Sequence, residues 1–264
     1  MTKAGIIDTH AHLDDNKFKG DFESVQARAL EAGVTRIISV GTNFTSSRHA
    51  CVLADEHPEI YAAVGVHPHD AITVVPRTLE GLRLLAGSSR VVAWGEIGLD
   101  YHYNFSPQDC QLDVFRKQLE IAGELNLPVI IHDREAHQEV LSVLGDFPGI
   151  TEVVIHCFSG DLRIAEECVK RGYYLGIGGT LTFPNNKKLQ DVVKRVPLEH
   201  ILLETDCPYL APQPWRGKRN EPAFVTAVLE EIARLKDVSQ EEVAATTTNN
   251  AEKLFRLKKA QKIR

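Results

Sequence analysis

The chain has 264 residues, of which 43% are hydrophobic and 25% charged, and a formal charge of −6. Such a composition describes a protein with a large core, and the negative charge argues against a surface coated for non-specific nucleic-acid binding, though not against a nucleic-acid substrate. No apolar run approaches the ~20 residues that a membrane span needs, Met1-Thr2-Lys3 leads into a strand pattern with no signal-peptide core, and the five cysteines form no CxxC pair, so reduced thiols in the cytoplasm are expected.

Short apolar runs rich in Val, Ile, Leu and Tyr alternate with longer amphipathic segments from end to end. Strands are predicted near 5–10, 34–40, 60–66, 91–96, 128–132, 152–156, 173–178 and 200–204. Their nearly continuous apolar character is that of strands covered on both faces. Helices are predicted near 21–32, 45–56, 77–87, 107–125, 134–145, 161–171, 186–195 and 221–236. Ser106-Pro107 reads as an N-cap followed by proline at the first helical position, and Gly33 and Gly172 stand where helix C-termini want glycine.

Eight strand–helix pairs are the count of a (β/α)₈ TIM barrel, an α/β fold, and no GxGxxG or Walker loop supports an open doubly wound sheet. The whole chain, 1–264, is expected to form one domain, with an extra helical segment at its C-terminus. Ser239-Gln240-Glu241-Glu242 is a capping-box pattern that opens a helix through about 247. Asn249 or Asn250 is expected to cap a last helical piece, Ala251 to Leu257, before a fraying basic tail from Lys258 to Arg264.

A parallel barrel delivers the C-terminal ends of its strands to one rim, where active sites sit. The predicted strands end in divalent-ion ligands again and again: His10 and His12, Glu96, His132, His156, and Asp206. A single buried histidine is more often a satisfied core residue than a ligand, but so many imidazoles and carboxylates at one rim would be costly without cations. Six ligands exceed one tetrahedral site and suit two cations roughly 3.5–4 Å apart. Glu96 is then the natural bridge, with His10, His12 and Asp206 completing one site and His132 and His156 the other. The nitrogen and oxygen donors admit zinc, manganese or, less comfortably, magnesium.

At these residues the chain resembles the TatD family of metal-dependent deoxyribonucleases, within the amidohydrolase-like barrels. The resemblance is carried by DTHAHLD (8–14), GVHPH (65–69), GEIGLDY (95–101), PVIIH (128–132), HCFSG (156–160), GIGGTLTFP (176–184) and LLETDCPYLAP (202–212), with RNEP (219–222) and NNAEKLF (249–255) fitting as well. It implies a TIM barrel with a divalent-metal centre, and phosphodiester hydrolysis on DNA, in several members as a 3′–5′ exonuclease. The six ligands above occupy the family's metal positions, and His67 stands at its GVHP histidine, near substrate.

The expected function is therefore a metal-dependent phosphodiesterase, with DNA as substrate, no membrane or obligatory protein partner, and a monomeric state. Glu96, Asp206 and His67 are the candidate catalytic residues. Asp206 would orient the attacking water or take its proton, and His67 would donate a hydrogen bond to the phosphate or protonate the leaving group. Glu204, two residues before Asp206, would orient a ligand. Trp215, Arg216, Lys218 and Arg219 form a basic loop after strand 8 that is a candidate clamp on the phosphate backbone. His69, Asp100, His102 and Arg134 read by default as loop surface, Cys157 and Cys207 as buried thiols. The rival readings are an amidohydrolase-type enzyme for a small amide or ester and a non-catalytic metal-binding barrel. The first commonly bridges its metals with a modified lysine, for which no lysine is placed here.

Overall fold

A computed structural model describes residues 5–257; the basic tail from Lys258 and the first four residues lie outside it. Eight parallel strands, β1 (Ile6–Ala11), β2 (Val34–Val40), β3 (Ile60–Val64), β4 (Val91–Asp100), β5 (Val129–Arg134), β6 (Val153–Ile155), β7 (Tyr174–Ile177) and β8 (Ile201–Leu203), pair in sequence order. Between β8 and β1 closure is made by backbone: His12 N donates to Cys207 O (2.8 Å) and Asp206 N to His10 O (2.9 Å). Eight helices follow the strands: α1 (Phe22–Glu31), α2 (Phe44–Glu56), α3 (Pro76–Leu85), α4 (Gln108–Leu125), α5 (His137–Gly145), α6 (Leu162–Lys170), α7 (Lys187–Arg195) and α8 (Val225–Lys236). This is the expected TIM barrel, and no helix of the described residues is long and apolar enough to cross a membrane.

The barrel has two apolar layers. One lies between strands and outer helices, with Trp94, Phe115 and Leu119 fully buried. The other fills the barrel: Ile7, Ile38, Ala93, Ile130, Val154 and Leu202 point inward. At the N-terminal end this inner layer is closed by Leu254, Phe255 and Leu257, at the end of a ninth helix, α9 (Gln240–Leu254). Ser239 caps α9 as expected, accepting from Glu242 N. The helix does not break at Asn249 or Asn250, however. The Asn250 amide donates to the carbonyls of Leu198 and Ile201, both at 2.9 Å, so it pins the helix under the barrel instead of capping a new one.

Two further expectations are corrected. Helix α4 begins at Gln108 with Pro107 at the cap position, because the Ser106 hydroxyl is used elsewhere: it donates to His69 O (2.7 Å) and accepts from Ile72 N (3.0 Å). Strand β4 runs on to Asp100, four residues past the expected end, after a register shift between Trp94 and Ile97. That irregularity turns Glu96 inward, where simple alternation from Ala93 would have faced it away.

Candidate metal centre at the barrel rim

On a strand, residues two apart share a face. The inward-facing Ile130, Val154 and Leu202 therefore carry His132, His156 and Glu204 one step above them at the C-terminal rim. The ends of β1 and β8 add His10, His12 and Asp206. Below them Asp8, fully buried, fastens the two strands together: it accepts from His10 N (3.3 Å), Thr205 N (2.9 Å) and Thr205 Oγ1 (2.6 Å). Burial pushes the Asp8 carboxyl up to about 8, against those three hydrogen bonds.

The six sequence-predicted ligands converge in one buried cluster. His10 Nε2 and His12 Nε2 are 3.3 Å apart. Asp206 Oδ1 lies 3.4 Å from His12 Nε2 and 3.9 Å from His10 Nε2, while Glu96 Oε2 lies 3.7 and 3.5 Å from the same two nitrogens. Two donors each 2.0–2.1 Å from a tetrahedral zinc stand about 3.3–3.4 Å apart, so these spacings fit ligands around one cation. The other oxygen of Glu96 faces a second group: Oε1 is 2.8 Å from His132 Nδ1, 3.1 Å from His156 Nε2 and 3.6 Å from His67 Nε2. Among the described residues three overlapping groups of these donors are close enough to hold a metal ion: His10, Glu96 and His156; His10, His12 and Asp206; and His67, Glu96 and His132.

The surrounding hydrogen bonds decide which ring atoms are available. His12 Nδ1 donates to the Val40 carbonyl (2.9 Å), so Nε2 is the ring atom that faces the cluster. His132 Nε2 donates to Asp100 Oδ2 (3.0 Å), which leaves Nδ1 facing Glu96. His67 behaves differently. Its Nδ1 accepts the His69 N–H (3.1 Å), so in the neutral ring the proton sits on Nε2, a donor that lies 3.1 Å from His132 Nδ1 at the cavity wall. Burial pushes the His67 imidazolium well below its ordinary range and keeps the ring neutral.

The carboxylates and imidazoles of the cluster set one another's charge. Burial alone would raise Glu96, yet the imidazoles of His156, His67 and His10 hold its carboxyl well below the usual carboxylate range. Burial lowers His12, His132 and His156, but their carboxylate neighbours outweigh it and raise all three, His12 to about 9. His10, stacked on His156 at 3.7 Å, is lowered by burial and by that neighbour. Buried His10 Nδ1, His156 Nδ1 and Glu204 Oε2 have no hydrogen-bond partner among the described residues. Glu204 Oε1 accepts from Cys157 N (2.6 Å) and lies 3.2 Å from His156 Nδ1, as a residue orienting His156 would. A dense set of ionised acids and forced imidazolium rings fits divalent cations better than it fits protons.

A cavity of about 580 Å³ opens onto this cluster. The loop from Trp215 to Arg219 does not reach it. Trp215 stacks on Phe224 (4.1 Å, 5°), Arg216 lies over Phe183 (4.4 Å), and Arg219 is held in a fork by Asp21, at 2.7 Å to each carboxylate oxygen; Lys218 is likewise absent from the cavity walls. The walls are made instead by residues that read as loop surface, Asp100, His69 and Arg134, together with Tyr103, Phe105 and Tyr209, to which no role was given. Asp100 is fully buried and accepts from both His132 and His69 (2.8 Å). Cys207 is buried as expected, but Cys157 is half-buried and faces a neighbouring lobe of the cavity.

Fold and donor set together define a class, the metal-dependent hydrolases built on a (β/α)₈ barrel. The chain belongs to the family described as TatD related DNase, whose sequence model matches residues 7–256. A metal-dependent hydrolase of Bacillus subtilis (strain 168), YabD, named as uncharacterized, is 46% identical over 254 residues, covering 96% of this chain and 99% of that one. A protein of Erwinia tasmaniensis named 3′-5′ ssDNA/RNA exonuclease TatD is 38% identical over 259 residues, covering 96% of this chain and 100% of its own. The crystal structure of YjjV, a TatD homolog from Escherichia coli K12, superposes with a TM-score of 0.92 at 35% identity, covering 97% of this chain and 100% of that one.

Proposed function

We propose that this protein is a two-cation phosphodiesterase that removes nucleotides from the 3′ end of single-stranded DNA, acting as a one-domain monomer in the cytoplasm. The observation that carries the reading is the division of Glu96, one oxygen toward His10 and His12 and the other toward His132 and His156. His10, His12, Asp206 and Glu96 would hold one cation, and His132, His156 and Glu96 the other. Zinc, manganese or magnesium bound there supplies Lewis-acid stabilisation of phosphoryl charge and an acidified water at neutral pH.

The chain's own groups do the rest. His67, neutral and with its proton on Nε2, donates a hydrogen bond to a phosphoryl oxygen; between the two roles expected of it, this is the one its tautomer supports. Asp206 stays ionised, because His12, His156 and His10 overcome its burial, and orients the attacking water as an acceptor. Glu204 keeps His156 aimed at Glu96. The exonuclease reading draws support from the relative named for that activity on single strands of DNA and RNA.

The test strips metal with chelator, restores magnesium, manganese or zinc, and follows a 5′-labelled single-stranded oligonucleotide with wild type beside Glu96→Ala. A ladder shortening from the 3′ end, dependent on metal and absent in the variant, is expected. Intact DNA in every metal would sink the nuclease reading. About two equivalents of bound metal in that case would favour the small-ester or amide hydrolase, and no bound metal would overturn the centre itself.

A further inference from the structure

The mouth of the metal cavity displays groups that the chemistry above does not use. Tyr103 and Phe105 follow β4. Their rings stack on each other (5.3 Å, 20°), yet Tyr103 remains 49% and Phe105 66% exposed. His69 meets Phe105 edge-on at 4.7 Å, and the Arg134 guanidinium lies 4.8 Å from the centre of the Tyr103 ring. This is not a loose loop tip. Asp100 Oδ1 accepts from the backbone N–H of His102 (3.1 Å) and Tyr103 (2.8 Å), Asn104 Nδ2 donates to Tyr101 O (2.7 Å), and Gln111 Nε2 donates to Ser106 O (2.8 Å). A loop fixed this firmly, with large rings left facing water at a reactive centre, forgoes burial that it could have had and offers a binding surface instead.

Lys and Arg line the cavity's extension on one side and not on the other. Beyond His132 and His156 the cavity continues into a lobe of about 350 Å³ lined by Arg134, Lys188, Asn186 and Ser159, together with Asp206 of the donor cluster and Asp133, which is paired with His137 (2.7 Å). On the other side, a lobe of about 690 Å³ presents Asp14, Asp15 and Asp70. Arg134 borders both the metal cavity and the lobe that carries Lys188, and its guanidinium is exposed over the Tyr103 ring. The two cations of the first lobe, Arg134 and Lys188, favour a polyanionic strand there over the second lobe, whose charged groups are carboxylates.

We infer that Tyr103 and Phe105 form a stacking subsite for one unpaired nucleobase beside the scissile phosphate, with Arg134 holding the adjoining phosphate on the side of Lys188. The inference rests on the nuclease reading above and deepens it. Such a subsite takes any base, since every base has a π-face, but only an unpaired one, since in a duplex those faces are covered by neighbouring bases.

The experiment uses the metal-loaded full chain and 5′-labelled single-stranded oligonucleotides, one normal and two with an abasic residue at the terminal or the penultimate position. Wild type is expected to lose about 10- to 100-fold in kcat/KM on one of the abasic substrates, with KM carrying the change, from the value of a single base–aromatic stack. The double variant Tyr103→Ala/Phe105→Ala is expected to treat the normal and abasic strands alike, and the single variant Phe105→Trp, which keeps a π-face, to retain the preference. Equal rates on all strands in wild type, or a preference that survives in the double variant, overturn the subsite. A wild type that hydrolyses bis(p-nitrophenyl) phosphate but no oligonucleotide overturns the nuclease reading, and the subsite with it.

Discussion

Changing Asp100 to Asn is expected to disable half of the metal centre while leaving the fold in place. The carboxylate is fully buried, and each oxygen accepts two hydrogen bonds: Oδ2 from His132 Nε2 (3.0 Å) and His69 Nε2 (2.8 Å), Oδ1 from the backbone N–H groups of His102 and Tyr103. Burial would raise this carboxyl, but the bonds from His132, Tyr103 and His69 hold it far below the ordinary range, so it is an acceptor at any working pH. An asparagine keeps one oxygen for the two backbone donors and turns an NH₂ toward the imidazoles. His132 must then accept on Nε2 and carry its proton on Nδ1, the atom that faces Glu96 at 2.8 Å. A protonated Nδ1 cannot ligate. Partners of ligating histidines are worth about 10–100-fold in metal affinity or activity, or roughly 1.4–2.7 kcal/mol. Calorimetric titration of chelator-stripped Asp100→Asn with manganese or zinc should show one equivalent near wild-type affinity and a second weakened by about that factor, with activity recovering as metal is raised. Two equivalents bound within twofold of wild-type affinity would refute the tautomer reasoning.

Three more outcomes are expected. His12 keeps its proton up to about pH 9, so a cation must displace it, and apparent affinity should fall about tenfold per pH unit below 9 for each proton displaced; because that pKa is raised above the unfolded value, the proton's contribution to the metal-free fold is complete below pH 6.5 and lost as pH rises through 9, so the melting temperature of chelated protein should decline across that window, and a flat or rising curve would contradict this. Gly98→Ala should abolish metal loading and destabilise by about 1–3 kcal/mol, since φ here is +142° and a Cβ would collide with the His132 carbonyl; wild-type metal content in the purified variant would show the strand can give way. Asn250→Ala leaves the Leu198 and Ile201 carbonyls without their donor and should cost about 2 kcal/mol, a fall of roughly 5 °C in Tm, with kcat unchanged; an unaltered melt would mean that α9 is held by its apolar contacts alone.

What was legible in the sequence was periodic. The strand–helix alternation and the ligands at strand ends follow from a two-residue step along β-structure, and His132 and His156 obey it without exception. What was not legible depended on partners far away in the chain. Arg219 looked like a free cation near the site, but its fork is filled by Asp21, 198 positions earlier. Asn250 looked like a cap because its amide's acceptors, about 50 positions upstream, leave no local trace. Asp100 reads as loop if β4 stops at Glu96; the register shift at 94–97 carries the strand on and brings the Asp100 carboxylate to His132.

The same step couples the stable end of the barrel to its reactive end. Ile130 and His132, Val154 and His156, Leu202 and Glu204 are successive inward positions, so the apolar layer sets the height and aim of the donors above it. Over that layer the protein gathers ionised Glu96, Asp206 and Asp100 among imidazoles that only their neighbours' charge can keep protonated. Protons and cations therefore compete for one set of atoms. Metal affinity, proton release and metal-free stability should consequently shift together in any variant that moves Glu96, and a variant that changed one without the others would show that the two donor sets are not joined through it.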